Sequence, residues 1–210
     1  MLSSKDFIVQ LAKKTEPVMA WKSDKDQEAW KAEAREKLEE LLGLPLSVCD
    51  PEFQITERTE EEKFDSISFR YQSEPGYYIP GTLLIPKGAD KPLPVVICLQ
   101  GHSSGAHLSL GKVLYDGDEK SIAGGRDFAV RAVEEGFCAI AIEQRYLGAL
   151  SGRERGLPGC GGKANGGLGS FLMGRTPIGE RVWDIHILLN VIESYFQQYI
   201  DSSSIICMGN

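Results

Sequence analysis

Three short runs constrain the fold of this chain more than any other feature: Val95-Val96-Ile97-Cys98-Leu99, Phe137-Cys138-Ala139-Ile140-Ala141-Ile142 and Ser204-Ile205-Ile206-Cys207-Met208. A strand wetted on one face alternates apolar and polar residues. A strand covered on both faces does not need to, so continuous apolar runs read as buried strands of a parallel sheet. The segments between them carry helix signals. From Arg126 to Glu135, Phe128, Ala129, Ala132 and Val133 share one side, and Gly136 provides a stop. Thr176-Pro177 starts a second, longer helix: the threonine hydroxyl caps a free amide, and proline fits the first turn because its missing N–H would be unpaired anyway. Ile178, Val182, Ile185, Leu189, Ile192, Phe196 and Tyr199 follow at steps of four and three, the spacing of one helix face packed on a sheet. Strand, helix, strand, helix, strand implies right-handed crossovers and an α/β fold, a mostly parallel doubly wound sheet with helices on both faces.

Upstream the period changes. Ile67, Phe69 and Tyr71 alternate with Ser66, Ser68 and Arg70, as in a half-buried strand. Tyr77, Ile79, Leu83 and Ile85 share one parity in the next segment, interrupted by Pro80-Gly81. Proline cannot donate to a ladder, so an edge or bulged strand is expected there. Joined through Glu74-Pro75-Gly76, the two segments form an antiparallel pair at one edge of the sheet. Residues 1 to about 45 read as helical. Ser23-Asp24-Lys25-Asp26 resembles a capping box, and Trp30, Ala34, Leu38 and Leu41 recur at helical spacing opposite a charged face that solvent can cover. Gly43 and Pro45 are stop signals. The expected division is a helical extension over 1–55 and the sheet domain over 56–210.

Charge and cysteine usage exclude several classes. A formal net charge of -7 argues against nucleic-acid binding, which needs a basic stripe to neutralise phosphates. The N-terminus has no basic start followed by an apolar stretch of signal-peptide length, and no run approaches a membrane span. The five cysteines, Cys49, Cys98, Cys138, Cys160 and Cys207, form no C-x-x-C pair. Three of them sit in apolar strand-like runs, so they read as buried, reduced thiols of a cytoplasmic protein, with no metal site and no cofactor. A homo-oligomer remains open.

In open sheets of this kind ligands bind beyond the carboxyl ends of the strands. After Leu99 comes Gln100-Gly101-His102-Ser103-Ser104-Gly105. Glycine lets a substrate approach the backbone closely, so Gly101 and His102 are candidates for an oxyanion hole, with the His102 N–H as donor. A glycine-rich turn bearing a surface histidine is the plainer reading of the same residues. After Ile142 comes Glu143-Gln144-Arg145-Tyr146-Leu147-Gly148 and then an irregular stretch to Arg175, expected to wall the pocket, with Glu143, Arg145 and Tyr146 as candidate substrate contacts. Its glycine-dense part, Gly159 to Gly167, is not a phosphate loop. Lys163 is followed by Ala164 rather than Ser or Thr, and no helix starts there. After Met208 come Gly209 and Asn210, which suit the start of a nucleophile elbow, where glycines relieve crowding at a tight strand-to-helix turn.

Taken in order, LEELLGLP (Leu38–Pro45) after Trp30, GTLLIP (Gly81–Pro86), LQGHSSG (Leu99–Gly105), RTPIGERVWD (Arg175–Asp184) and Asp201–Gly209 resemble the α/β-hydrolase superfamily, in its acetyl xylan esterase and dienelactone-hydrolase-like branch. The resemblance covers about residues 28–210. It implies a carboxylic-ester hydrolase acting through a serine acyl-enzyme on a small-molecule ester, with acetylated carbohydrates as one class. It places the nucleophile immediately after Asn210, with the acid and then the histidine further on, so that no catalytic residue lies within these 210 residues. The expected protein is therefore longer, by roughly 150 residues. His102, His107 and His186 precede the elbow and are not the base. A peptidase or a cysteine-dependent dienelactone-type hydrolase on the same fold, or a non-catalytic hydrolase-fold binding module, are the alternatives.

Overall fold

The computed structural model describes residues 2–101, 105–151 and 166–209. The chain divides into two compact units, Met1–Leu41 and Leu42–Asn210.

In the first unit, helix α1 (Ser4–Lys14) is capped by Ser3, whose hydroxyl accepts the Asp6 amide at 3.1 Å. Helix α2 (Gln27–Leu42) is capped by Asp26, whose Oδ1 accepts the Ala29 amide at 2.7 Å, so Asp26 takes the capping role expected of Ser23. The Trp30 indole N–H donates to the Met19 carbonyl, and its ring meets Trp21 edge-on. Leu38 and Leu41, expected to face inward, are exposed.

The second unit is built on a six-stranded sheet in the order β1-β2-β3-β5-β4-β6. Its strands are β1 (Gln54–Glu60), β2 (Phe64–Glu74), β3 (Tyr77–Pro86), β4 (Leu93–Leu99), β5 (Cys138–Ile142) and β6 (Ile200–Gly209). β1, β2, β3 and β5 pair antiparallel in turn, whereas β4 pairs parallel with both β5 and β6. The sheet is therefore mixed, and its antiparallel part is larger than the expected pair. β1 carries no buried position, so it offered no alternation to read.

β3 is an interior strand rather than an edge, and its register against β2 runs unbroken through Pro80. The proline is tolerated because a strand residue aims its N and C=O at the same neighbour. The Pro80 carbonyl accepts from the Glu143 amide at 3.0 Å, so the missing N–H also points toward β5, just past the last ladder pair, Gly81 with Ile142.

Short helices α3 (Ala106–Ser109), α4 (Asp118–Ala123) and α5 (Phe128–Glu134) connect β4 to β5, and α6 (Gly166–Leu172), which starts inside the glycine-dense part where no helix start was expected, and α7 (Pro177–Tyr195) precede β6. On one face of the sheet, Ala129, Ala132 and Val133 of α5 pack on Leu84, Val96, Cys98, Ala139 and Ala141. On the other, α7 covers Ile67, Phe69, Tyr71, Leu83, Ile97 and Ile140. Each fully buried aliphatic or aromatic side chain here contributes roughly 1.5–3 kcal/mol relative to exposure. Leu44, Leu46 and Phe53 also pack on this core, so residues 42–55, grouped above with the extension, belong with the sheet.

Thr176 caps α7 as expected, its Oγ1 accepting the Gly179 amide at 2.9 Å, with Pro177 in the first turn. The buried face of α7 matches the expected one only in its later turns, where Ile192 and the following Phe196 are buried and Ile185 and Leu189 pack partly on the core. It consists of Gly179, Glu180, Trp183, Asp184, Ile187, Leu188, Val191 and Ile192, while Ile178 and Val182 are exposed. Two carboxylates on the inner face hid it from a purely apolar reading. β6 also departs from expectation: it is the last strand of the described sheet, paired only with β4, and Ile206, Cys207 and Met208 are exposed rather than buried. Cys98 and Cys138 are buried, and burial pushes both thiols up to about 12. Cys160 lies outside the described residues. No helix among them is long and apolar enough to cross a membrane.

Candidate active site

The parallel strands bring three carboxyl ends to one edge of the sheet. β4 ends with Leu99 beside Gly209 of β6, and β5, on the other side of β4, ends with Ile142. Gly209 lies so close to β4 that a Cβ there would stand 3.1 Å from the Leu99 carbonyl oxygen. The expected oxyanion residue Gly101 follows directly. His102 and Asn210 lie outside the described residues.

The turn leaving β4 is tied to the turn leaving β5. The Glu143 carboxylate accepts the Ala106 amide at 2.9 Å on Oε1 and the Gln100 side-chain amide at 3.3 Å on Oε2. Gln144 donates in turn to the Gln100 carbonyl at 2.8 Å. Burial pushes the Glu143 carboxyl above its ordinary pKa, and the Ala106 and Ala149 amides pull it back part of the way. Glycine is required at Gly148 and favoured at Gly105. A Cβ on Gly148, which has φ +47°, would sit 2.0 Å from Glu143 Oε2, and one on Gly105 would sit 3.1 Å from Oε1.

The expectation that Glu143, Arg145 and Tyr146 face substrate meets a different geometry, because their polar atoms are taken up by protein partners. Arg145 is only 4% exposed. Its Nε donates to Asp184 Oδ1 and Oδ2 at 3.0 and 2.9 Å, and Nη2 reaches Asp184 Oδ1 at 2.8 Å and Ser73 Oγ at 3.1 Å. Nη1 donates to Glu74 Oε2 at 2.6 Å, and the guanidinium lies over the Tyr77 ring. Arg181 and Asp184, one helical turn apart on α7, do not pair with each other. Asp184 points inward to Arg145, and Arg181 instead donates to the Arg145 carbonyl at 3.0 Å. Arg175 adds a second cation, bonded to Glu74 and placed 2.9 Å from Glu180 Oε1 outside hydrogen-bond angles. Tyr146, at φ +67°, donates its hydroxyl to Glu180 and meets Ser170 at 2.8 Å.

The cluster is therefore two guanidinium cations among three carboxylates, joining β2, the β5 exit, α6 and α7. Burial works against the charge on Arg145, but the Asp184 and Glu74 carboxylates outweigh it and hold the guanidinium firmly protonated. Burial pushes Asp184 up against the pull of Arg145. Glu74, desolvated too, is drawn below its ordinary value by Arg175 and Arg145. The sequence signal for this cluster was available: Glu180 and Asp184 stand four apart on the helical stripe of Trp183, Ile187 and Val191.

A second buried pair was not read from the sequence. His107 Nε2 lies 3.0 Å from Asp118 Oδ2, which also accepts the Leu114 and Tyr115 amides at 2.9 and 2.8 Å. Among the described residues no group of three or more His, Cys, Asp or Glu could hold a metal ion. A cavity of about 360 Å³ lies at the opposite end of the sheet, lined by residues such as Arg58, Asp65, Ile85 and Tyr199. Tyr199 bonds the first residue of β4, so this cavity is separated from the carboxyl ends by the length of that strand, roughly 20 Å.

Comparison with known proteins adds the following. A model described as Abhydrolase family matches residues 1–156. No curated protein matches the chain. Among solved structures, a Bacteroides fragilis protein provisionally assigned as an acetyl xylan esterase is 21% identical with a TM-score of 0.78, over 100% of this chain and 54% of that one. A glucuronoyl esterase from Solibacter usitatus is 15% identical with a TM-score of 0.58, over 93% of this chain and 57% of that one. The acetyl xylan esterase of Paenibacillus sp. R4 is 19% identical with a TM-score of 0.52, over 96% and 56%. The chain thus spans little more than half the length of these structures, and at such identities the likeness is one of fold.

Proposed function

The chain belongs to the Abhydrolase family, and from that premise we propose that it forms part of a carboxylic-ester hydrolase that works through a serine acyl-enzyme, with acetylated carbohydrates as the substrate class. The observation that carries this reading is the alignment of Leu99 with Gly209 on adjacent parallel strands. It sets the turn that begins Gln100-Gly101 beside the point where β6 ends in Gly209. In this reading Gly209 and Asn210 open the nucleophile elbow, and the attacking serine comes next. Gly101 and His102 supply the oxyanion hole, where backbone N–H groups aimed at the developing charge stabilise the tetrahedral intermediate. The acid and the histidine come from residues beyond these 210. A histidine takes the serine proton during attack and returns it to the departing alcohol, and water then releases the acid.

The turn Glu143–Tyr146 serves as a wall of the pocket, stiffened from below by the Arg145 cluster. Esterases among the fold relatives support the ester class, and the two named as acetyl xylan esterases support a carbohydrate alcohol. The reduced cysteine pattern favours a cytoplasmic setting. The test is hydrolysis by the full-length protein of aryl acetates and acetylated xylo-oligosaccharides, with a peptide amide as comparison. Turnover of the acetyl esters is expected. Cleavage of the peptide alone, or no turnover of any ester, overturns the proposal.

A further inference from the structure

The cavity at the amino ends of β4 and β6 is built on one corner of the sheet. The ladders set Arg58 of β1 opposite Ile67 of β2, and Asp65 of β2 opposite Ile85 of β3. Cross-strand partners share a face, so these side chains lie on the face that α7 covers further along. α7 stops at Tyr195, and Gln198 and Tyr199 of the turn that follows border a cavity of about 360 Å³, within the size range of small-molecule sites. Ile67 and Ile85 close it on the core side, and Pro86 and Ala89 add apolar surface. The Tyr199 backbone is anchored, its carbonyl accepting the Leu93 amide at 2.9 Å. Its hydroxyl accepts from Arg58 Nη1 at 3.3 Å, so the guanidinium is held at the cavity before any ligand arrives. Opposite, Gly88 at φ +76° turns the chain after β3 so that Ala89 and Lys91 return to the cavity.

The charges on this lining do not cancel. Its two carboxylates, Asp65 and Glu60, share Lys87, which bonds Asp65 and stands 4.0 Å from Glu60 Oε2. Among the described residues neither Arg58 nor Lys91 pairs with a carboxylate. One positive charge is therefore in surplus among these five groups, on a chain whose net charge is -7. We propose that this cavity is a binding site for a small organic monocarboxylate, whose carboxylate is held by Arg58 and Lys91 and whose apolar body lies against Tyr199, Pro86 and Ala89. A guanidinium offers a carboxylate two parallel N–H donors, and Lys91 adds a point charge from the other wall. The apolar lining selects against an inorganic anion, which gains nothing from it, and the surplus charge selects against a neutral ligand. The site is separate from the carboxyl ends of the strands and does not depend on the ester-hydrolase reading.

The experiment titrates the full-length protein with 2-naphthoate and follows the amide resonances of Gly88, Ala89 and Gln198. The neutral 2-naphthalenemethanol and inorganic phosphate serve as comparisons. Naphthoate should shift these amides to saturation with a Kd of roughly 1 mM, the range of a small, partly exposed ligand. Arg58→Gln should weaken binding roughly tenfold, discounted for exposure, and Lys91→Gln about threefold. Ala89→Glu places a carboxylate in the cavity and should abolish the response. All three changes are at exposed positions, so the variants should unfold with wild type and report the site rather than the fold. The proposal is overturned if these amides do not respond to naphthoate, or if the three variants bind it as wild type does. It is equally overturned if the alcohol binds as tightly, or if phosphate does, since the cavity would then be an apolar pocket or a general anion site. No ester turnover enters the readout, so failure here leaves the ester-hydrolase reading standing, and failure of that reading leaves this site to be judged on binding alone.

Discussion

Replacing Arg145 with methionine isolates Asp184 inside the protein. The Asp184 side chain is 1% exposed and receives three contacts of 2.8–3.0 Å from Arg145. Glu74 loses the same partner but keeps Arg175, so the damage concentrates on Asp184. A buried carboxylate stripped of its cation typically costs 3–5 kcal/mol, against about 0–1 kcal/mol for a surface pair. Total stabilities lie near 5–15 kcal/mol, so Arg145→Met should remove a large fraction. In a urea titration followed by tryptophan fluorescence, a slope near 2 kcal/mol per molar converts that cost to a midpoint shift of about 2 M. Adding Asp184→Leu to Arg145→Met removes the stranded charge, and the double variant should recover at least half of the loss. A midpoint shift below about 0.5 M in the single variant, or a double variant no more stable than the single, would refute the view that uncompensated burial at Asp184 sets the energy.

Asp118 would be raised by burial, but the Leu114 and Tyr115 amides and His107 hold it below its ordinary value. Its contribution to stability is therefore complete above the ordinary carboxylate pKa, near 3.9, and disappears as pH falls through the depressed folded value. The stability gap between wild type and Asp118→Asn should narrow in acid, and a gap constant from pH 6 to pH 2 argues against it. Glu143 has the opposite sign: its folded pKa is raised, so wild type should lose stability relative to Glu143→Gln as pH climbs from the ordinary value through the raised one, as measured by urea midpoints at each pH. Thr176 Oγ1 accepts from Gly179 and donates to the Leu42 carbonyl at 3.0 Å, so Thr176→Ala should cost about 1 kcal/mol, with Thr176→Ser restoring most of it.

The strands of the core were legible because their patterns are one-dimensional. Continuous apolar residues marked β4 and β5, and alternation marked β2 and β3, with Ile67, Phe69 and Tyr71 buried as the parity required. The cap of α7 was legible for the same reason, since Thr176 and Pro177 act within one turn. What escaped depends on partners distant in sequence. The inner face of α7 contains Glu180 and Asp184, and carboxylates become interior residues only when Arg145 and Arg175 arrive from other elements. The exposure of Cys207 and Met208 follows from the place of β6 at the end of the described sheet, which no local pattern encodes. β1 is held by a ladder to β2 with every side chain exposed, so its polar sequence gave no strand signal. Of the candidate site, Gly101 and Gly209 could be placed at strand ends, whereas the internal engagement of Glu143, Arg145 and Tyr146 needed the fold.

Covalent labelling tests the proposed chemistry most directly. A fluorophosphonate reacts with an activated serine and stays bound through proteolysis, so peptide mapping of the labelled full-length protein reads the nucleophile by position. The expected result is a single label on a serine that directly follows Asn210, formed in step with loss of aryl acetate hydrolysis. A label mapped to any other residue while hydrolysis is lost, or full hydrolytic activity in protein whose post-Asn210 residue carries no label, contradicts the placement of the nucleophile at the end of β6.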